Sequence, residues 1–395
     1  MSLARTLDYL ILVPTLRCNL KCDYCQVSRV DEHRPNFDWT EETLGQVLDF
    51  VGTLETDRVK IEFQGGEPTL RPDLIEAVIA RCARFEHAEF VICTNLQQLD
   101  GRTLRLFDRD DVFISTSLDG PAEIHRRQRT ATAARTEAFL ENLRTLRSRY
   151  PAGKVSALPT IDPTCPPDAD DLIDAYLEHG IDNIFLRPVN FHGFARKRYK
   201  ESVANPVSWP AYYQDFVHNL IRRNWHDRSR VLQETYLGIC LRRIFQPGAE
   251  RHVDLRNPNP VGVDYLVIDY DGVFYPTDEA RMLARSGVID LSIGNLSDGF
   301  DLDKRHLMNR SASNSFDPDC QACAFQPYCG RDMIDDLARY GTIDVPRLDT
   351  EFCRRHRGLF DFAFELIYSD DPAVRYSLCR WLGLPGEIEL GETWQ

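Results

Sequence analysis

The sequence predicts an α/β chain, a partial (β/α)6 barrel followed by a smaller C-terminal module that holds metal through cysteine. Three observations carry this. Apolar runs alternate with amphipathic stretches through the first half, the pattern of βα units building a parallel sheet. That rhythm fades after residue 225. The twelve cysteines of the 395 residues fall unevenly, with one tight group near the start and another near position 325.

Six βα units can be counted. Strands are expected at 8–13, 58–64, 88–93, 112–118, 154–160 and 183–189, with helices at 41–54, 72–85, 101–108, 133–149 and 168–179. Six are too few to close an eight-unit barrel, so the barrel is partial or open. In such folds ligands sit beyond the carboxyl ends of the strands. Residues 264–276 read as two short strands around Asp271-Gly272, starting a different module, and 353–382 as helix with a break at Asp370-Asp371-Pro372. The expected division is 1–224 for the barrel, 225–355 for the cysteine module and 356–395 for a C-terminal helical extension.

Composition narrows the function classes. A hydrophobic content of 43% with 27% charged residues fits a soluble globular chain, and no stretch nears the ~18 apolar residues of a bilayer span. A cytoplasmic, non-membrane protein is expected. The net charge of −14 disfavours nucleic acid, whose phosphates require a basic footprint. Cysteines in a cytosolic chain serve metal more often than disulfides.

Directly after the first strand comes Arg17-Cys18-Asn19-Leu20-Lys21-Cys22-Asp23-Tyr24-Cys25, a C-x3-C-x2-C array. Three thiolates on one loop can ligate three irons of a cubane and leave the fourth iron open. An amine and carboxylate, such as the methionine end of S-adenosylmethionine, can chelate that open iron; a zinc site with a distant fourth ligand satisfies the same spacing. The second strand ends in Phe63-Gln64-Gly65-Gly66-Glu67-Pro68, where two glycines permit close backbone approach to a ligand. Taken alone, this string is also an ordinary turn. The fourth strand leads into Ser117-Leu118-Asp119-Gly120-Pro121, then His125 and Arg129; the serine can bond a ribose and the arginine a carboxylate.

Together these motifs resemble the radical SAM superfamily. The resemblance implies a 4Fe-4S cluster on Cys18, Cys22 and Cys25, and a bound S-adenosylmethionine contacted by Tyr24, Gln64, Gly65, Gly66, Glu67, Pro68, Asn95, Ser117, Arg129 and Arg187. It implies cleavage of that cofactor to methionine and a 5′-deoxyadenosyl radical. Ser117-Leu118-Asp119-Gly120-Pro121 resembles the branch that modifies peptides and sulfatases.

Cys320, Cys323 and Cys329 form C-x2-C-x5-C, with Cys353 beyond. Four thiolates suffice for a cubane or a zinc. The array resembles the SPASM extension of peptide-modifying radical SAM enzymes, which implies an auxiliary 4Fe-4S cluster. Thr277 and Met333 stand where two cysteines of that pattern belong, so the expectation is one auxiliary cluster, on Cys320, Cys323, Cys329 and Cys353, and two 4Fe-4S clusters in all. Losing the inner cluster should leave polar groups at the barrel mouth, with Asp278 or Glu279 a candidate base; a salt-bridged turn is the plainer reading. Cys82, Cys93, Cys165, Cys240 and Cys379 read as packing residues.

The nearest resemblance is to the His-Xaa-Ser system radical SAM maturases. It implies oxidative modification, as a crosslink, of a side chain in a ribosomally made precursor peptide, an electron donor such as flavodoxin or ferredoxin, and a paired maturase or separate leader-binding protein. A first strand beginning near residue 8 leaves no room for an N-terminal leader-binding module. The rival readings are a peptide epimerase, a formylglycine-forming sulfatase maturase, and a non-enzymatic iron-sulfur or zinc scaffold.

Overall fold

The computed structural model describes residues 6–190, 192–198, 209–246, 252 and 255–384. Its centre is a seven-stranded sheet. Five parallel strands come from the first half: β1 (Tyr9–Thr15), β2 (Arg58–Gly65), β3 (His87–Cys93), β4 (Val112–Thr116) and β5 (Val155–Ala157), neighbours in that order. Between them run α1 (Glu41–Thr53), α2 (Pro72–Arg81), α3 (Gly101–Phe107) and α4 (Ala133–Arg149), with α5 (Ala169–Glu178) after β5. Five of the six expected strands and the five expected helices are therefore present, with boundaries shifted by a few residues.

Period-two alternation sorts the two faces of each strand. On β2, Val59, Ile61 and Phe63 join the core beneath the helices, so Lys60, Glu62 and Gln64 project to the opposite, inner face. α1 begins where Thr40 caps it, its side chain accepting from the Thr43 amide. This satisfies one of the four orphan N–H groups of a helix start.

Two expectations change. The fifth and sixth strands are not single runs: Thr160–Ile161 pairs with Arg187–Pro188, and Asn183–Ile184 with Gln233–Glu234, outside the main sheet. Pro159 has no N–H to give the ladder, which breaks the 154–160 run where the barrel opens. The hairpin at 264–276 does not start a separate module. Its first strand, β6 (Tyr265–Ile268), lies parallel to β1 in the register Tyr9↔Tyr265 to Leu12↔Ile268, and β7 (Phe274–Tyr275) pairs antiparallel outside it. All four β6 residues are buried, as in a strand covered on both faces. The hairpin thus covers the free edge of β1.

The expected domain boundaries also fall inside helices. Position 224/225 lies within α6 (Trp209–His226) and 355/356 within α10 (Glu351–Ile367). α7 (Thr235–Phe245) precedes the hairpin, and α8 (Asp278–Arg285) and α9 (Met333–Tyr340) follow it. The last helix, α11 (Pro372–Trp381), folds back on α6: Trp225 and Tyr376 meet edge-on at 6.0 Å between ring centroids, and the Trp381 indole donates to the Leu232 carbonyl at 3.1 Å. The break at 370–372 is where the sequence placed it, with Asp371 capping α11. Residues 385–395 of the expected extension lie outside the described residues. No helix of the described chain is long and apolar enough to cross a membrane.

Candidate active site

A cavity of about 270 Å³ opens at the carboxyl ends of β1 to β4. Cys18, Cys22 and Cys25 line it, as do Tyr24, Gln64, Gly65, Gly66, Glu67, Asn95, Ser117, Arg129 and Arg187. Of the residues expected to contact the cofactor, Pro68 alone is not on its wall. Pro68 instead opens the short 3-10 turn Pro68–Leu70 behind it.

The cysteine loop is held from several sides. Arg17 donates to Asp38 from Nε at 2.8 Å and Nη2 at 2.5 Å, and Arg71 reaches the same carboxylate at 2.9 Å. Asp38 thereby ties the loop to the segment after the glycines. The Cys18 sulfur accepts from the Leu20 backbone amide at 3.4 Å and from the Asn95 side-chain Nδ2 at 3.7 Å. Burial pushes the Cys18 thiol up to about 12 and that of Cys22 up to about 11, so an iron that takes these sulfurs must displace their protons.

Gly65 and Gly66 were expected to make room for a ligand. Their tightest neighbour is the cysteine loop itself. A Cβ on Gly66 would lie 2.2 Å from the Arg17 carbonyl, and one on Gly65, at φ +123°, 2.3 Å from that of Thr15. The Gly66 and Glu67 amides donate to the Thr15 and Arg17 carbonyls at 2.9 and 2.8 Å. These glycines lock the cysteine loop against the end of β2. Gly66→Ala should therefore cost about 3 kcal/mol of stability, read as a lowered urea midpoint.

Glu67 has a comparable bracing role. At 2% exposure its carboxylate accepts from the Asn95 amide at 2.7 Å and the Thr69 hydroxyl at 2.7 Å. Burial raises its pKa against those donors. Asn95 in turn donates to Asn19 at 2.8 Å, joining the loops after β1, β2 and β3.

Tyr24 is buried, donates to Asp119 and accepts from Arg129 Nη1 at 2.8 Å. Asp119 is fully buried, and its Oδ1 accepts from the Thr160 amide at 3.0 Å. Asp119 is thus more than the turn residue its sequence context suggests. It balances the Arg129 charge and links the ends of β4 and β5. His125 is not on the cavity wall; it stacks on Phe139 at 4.2 Å, and burial pushes its pKa down to about 3.

Glu62 and Cys93 also line the cavity. Cys93 was expected only to pack, yet its thiol donates to Glu62 at 3.2 Å, beside the bonds Glu62 accepts from Gln64 at 2.6 Å and Tyr9 at 2.7 Å. Period two on β2 could have found Glu62, which shares the inner face with Gln64.

In the C-terminal half, Cys320 sits in the turn Pro318–Gln321, and the Cys323 amide donates to its carbonyl at 3.0 Å. Cys353 lies in the first turn of α10, where its amide donates to the capping Thr350 hydroxyl at 3.2 Å. Cys320, Cys323 and Cys353 all act electrostatically on Cys329, whose thiol burial pushes up to about 12; Arg347 opposes that rise. Among the described residues, no three His, Cys, Asp or Glu side chains stand close enough to grip one metal ion. A cubane distributes its thiolates over separate irons, a wider set.

Thr277 and Met333, at the positions of the missing inner-cluster cysteines, are buried. Thr277 caps α8, accepting from the Ala280 amide at 3.0 Å. Ala280 and Leu283 of α8 join Ile334 and Ala338 of α9 in one apolar cluster with Ile11 and Val13 of β1, and Met333 packs with Val261 and Ala312. Asp278 is no free base: Arg281, fully buried, donates to it at 2.8 Å and lies 3.7 Å from Asp269. Glu279 lines a second cavity instead. The salt-bridged turn is what the chain builds, because an N-terminal acid three residues before an arginine meets it on one helix face.

Residues 12–164 match the family model of the Radical SAM superfamily. The chain is 31% identical over 121 residues to a GTP 3′,8-cyclase of Erythrobacter litoralis, covering 30% of this chain and 36% of that one. It is 27% identical over 131 residues to a cysteine-type anaerobic sulfatase-maturating enzyme of Clostridium perfringens, covering 31% and 35%. The chain spans less than half the length of the curated relatives it matches. Its fold extends further. The structure of anSMEcpe with bound AdoMet and the Cp18Cys peptide aligns with a TM-score of 0.71 at 18% identity, over 91% of this chain and 97% of that one. Streptococcus suis SuiB bound to precursor peptide SuiA aligns at 0.61 and 15%, over 89% and 76%.

Proposed function

From the radical SAM domain that this chain carries over residues 12–164, we propose that it is an enzyme that oxidatively modifies a side chain of a ribosomally made peptide, as a crosslink. The observation that carries the reading is the single cavity shared by Cys18, Cys22 and Cys25 with Gly65, Gly66, Glu67, Asn95, Ser117 and Arg129. In this reading the three cysteines would hold a 4Fe-4S cluster, and the cavity they line would take S-adenosylmethionine beside it. When bound, the pair supplies a 5′-deoxyadenosyl radical that removes a hydrogen atom from the peptide.

The protein's own part is positioning. Glu67, Asn95 and Asp38 fix the cysteine loop against the neighbouring strand ends, while Tyr24, Asp119 and Arg129 form a braced, water-poor wall. Gln64, Ser117 and Arg187 present polar groups to the nucleoside. Cys320, Cys323, Cys329 and Cys353 would hold one auxiliary 4Fe-4S cluster, which would supply an acceptor for the electron an oxidation leaves behind. Glu279, on the neighbouring cavity, is the candidate base. The proposal includes a cytoplasmic location, a flavodoxin or ferredoxin as electron donor, and a paired maturase or leader-binding protein. Peptide is favoured as substrate by the net charge of −14, which repels a polyanion, and by the fold shared with anSMEcpe bound to the Cp18Cys peptide and SuiB bound to precursor peptide SuiA.

The test is to incubate reconstituted, reduced protein with S-adenosylmethionine and the short peptides encoded beside its gene. Loss of two hydrogens from one peptide, with 5′-deoxyadenosine as coproduct, is expected. An unchanged peptide mass with inverted stereochemistry would overturn oxidation in favour of epimerisation; an aldehyde would indicate formylglycine formation; no 5′-deoxyadenosine would indicate a scaffold.

A further inference from the structure

A second cavity, of about 140 Å³, lies between the open side of the barrel and helices α6, α9 and α10. It shares Arg187, Pro188 and Asn190 with the cysteine cavity, so the two adjoin. Its wall is mixed: Phe185, Trp209, Tyr213, Tyr236, Leu359 and Phe362 are aromatic or aliphatic, and charged side chains such as Asp335, Arg339 and Glu351 stand among them. Several of its polar groups already have partners. Arg339 donates to Asp335 at 2.9 Å and lies 3.8 Å from Glu351, and the Tyr236 hydroxyl meets His356 at 2.6 Å. Groups already paired ask little of an occupant, so the aromatic part of the space favours an apolar one; the His192 ring nitrogens and Glu351 Oε2, buried without a hydrogen-bond partner among the described residues, leave polar positions on the same wall. Its volume suits one ring, since an apolar cavity of ~150 Å³ accommodates benzene.

A separate observation concerns Gly358. It stands in the interior of α10, where glycine is a poor helix former, and it lines this cavity. A Cβ there would meet no atom within 4 Å. No close backbone approach requires the glycine, so its effect is to keep the wall open.

We propose that this cavity is a specificity pocket for one aromatic side chain of the peptide substrate, held beside the residue that reacts, with Gly358 as its aperture. This rests on the peptide-modifying reading above. Binding tests it independently of turnover. Reconstituted protein is titrated calorimetrically with N-acetyl-phenylalanine methylamide and N-acetyl-alanine methylamide. The phenylalanine probe should bind at least about tenfold more tightly, the discrimination expected of an apolar pocket. Gly358→Leu should abolish that preference while melting no lower than the parent, because leucine favours helix and its Cβ meets no neighbour within 4 Å. Gln214→Trp, intruding from α6, should abolish it too and guards against a folding effect peculiar to one variant. Equal binding of the two probes to the parent, or a preference that survives both variants, overturns the pocket. Absence of 5′-deoxyadenosine, measured on the same preparation, would instead sink the radical-enzyme reading alone.

Discussion

Alanine at Cys18, Cys22 or Cys25 should reduce 5′-deoxyadenosine formation by at least about 10³-fold, since each removes a member of a group that acts as a unit. Chemistry and position both matter here. A cubane that keeps one iron open to the cofactor has three protein ligands; with two, a second iron is exposed to solvent and the cluster is easily lost. Iron and sulfide analysis should accordingly show the loss of one cluster's complement, about four irons, while the auxiliary set remains. Serine at Cys18 should behave almost as alanine does, since a buried hydroxyl is a far poorer ligand for iron than a thiolate. A Cys18→Ala protein that still yields 5′-deoxyadenosine at a tenth of the parental rate or more would overturn the assignment. The fold should survive the change. The loop is secured by Arg17 to Asp38 and by Gly66 and Glu67 to the backbone of residues 15–17, none of which needs the sulfur.

The cysteine spacing and the strand order made much of this site legible before any coordinates. Chemistry confined to one loop leaves a local pattern, and βα rhythm fixes which loops converge. What escaped the sequence was long-range. Asp119 reads as a turn residue because Asp-Gly-Pro favours turns; its bond to Tyr24, 95 positions away, has no local signature. Gly65 and Gly66 read as a ligand cradle, but the surface they approach is the chain's own loop, some 50 residues earlier. Cys93 reads as a packing residue because it ends an apolar strand, and only the register beside Glu62 turns its thiol into the cavity. The hairpin at 264–276 shows the same limit. Its local pattern gives the two strands correctly, whereas its parallel pairing to β1 depends on which sheet edge was left free.

Cys353 provides the second large effect. Its alanine variant should retain at least about half of the cofactor cleavage seen without peptide, yet convert peptide at least about 10²-fold more slowly, because the variant keeps the radical source and loses the exit for an electron. The separation is structural. Cys353 lies in the first turn of α10 and shares its surroundings with Cys320, Cys323, Cys329 and Arg347, whereas the cysteine cavity is lined by none of these residues. Arg347 is itself buried and pairs with Asp336, so a cation persists beside three sulfurs once Cys353 is gone, a poor setting for any replacement ligand but not one that unfolds the helix. Cys320→Ala should match it, each variant losing about four irons and giving cleaved cofactor without product. If Cys353→Ala turned over peptide normally with that iron missing, the four cysteines would be a structural clasp, and the oxidation would need another acceptor. If instead it lost cofactor cleavage as completely as Cys18→Ala, the two cysteine groups would work as one centre, although the cavity of the first is lined by none of the second.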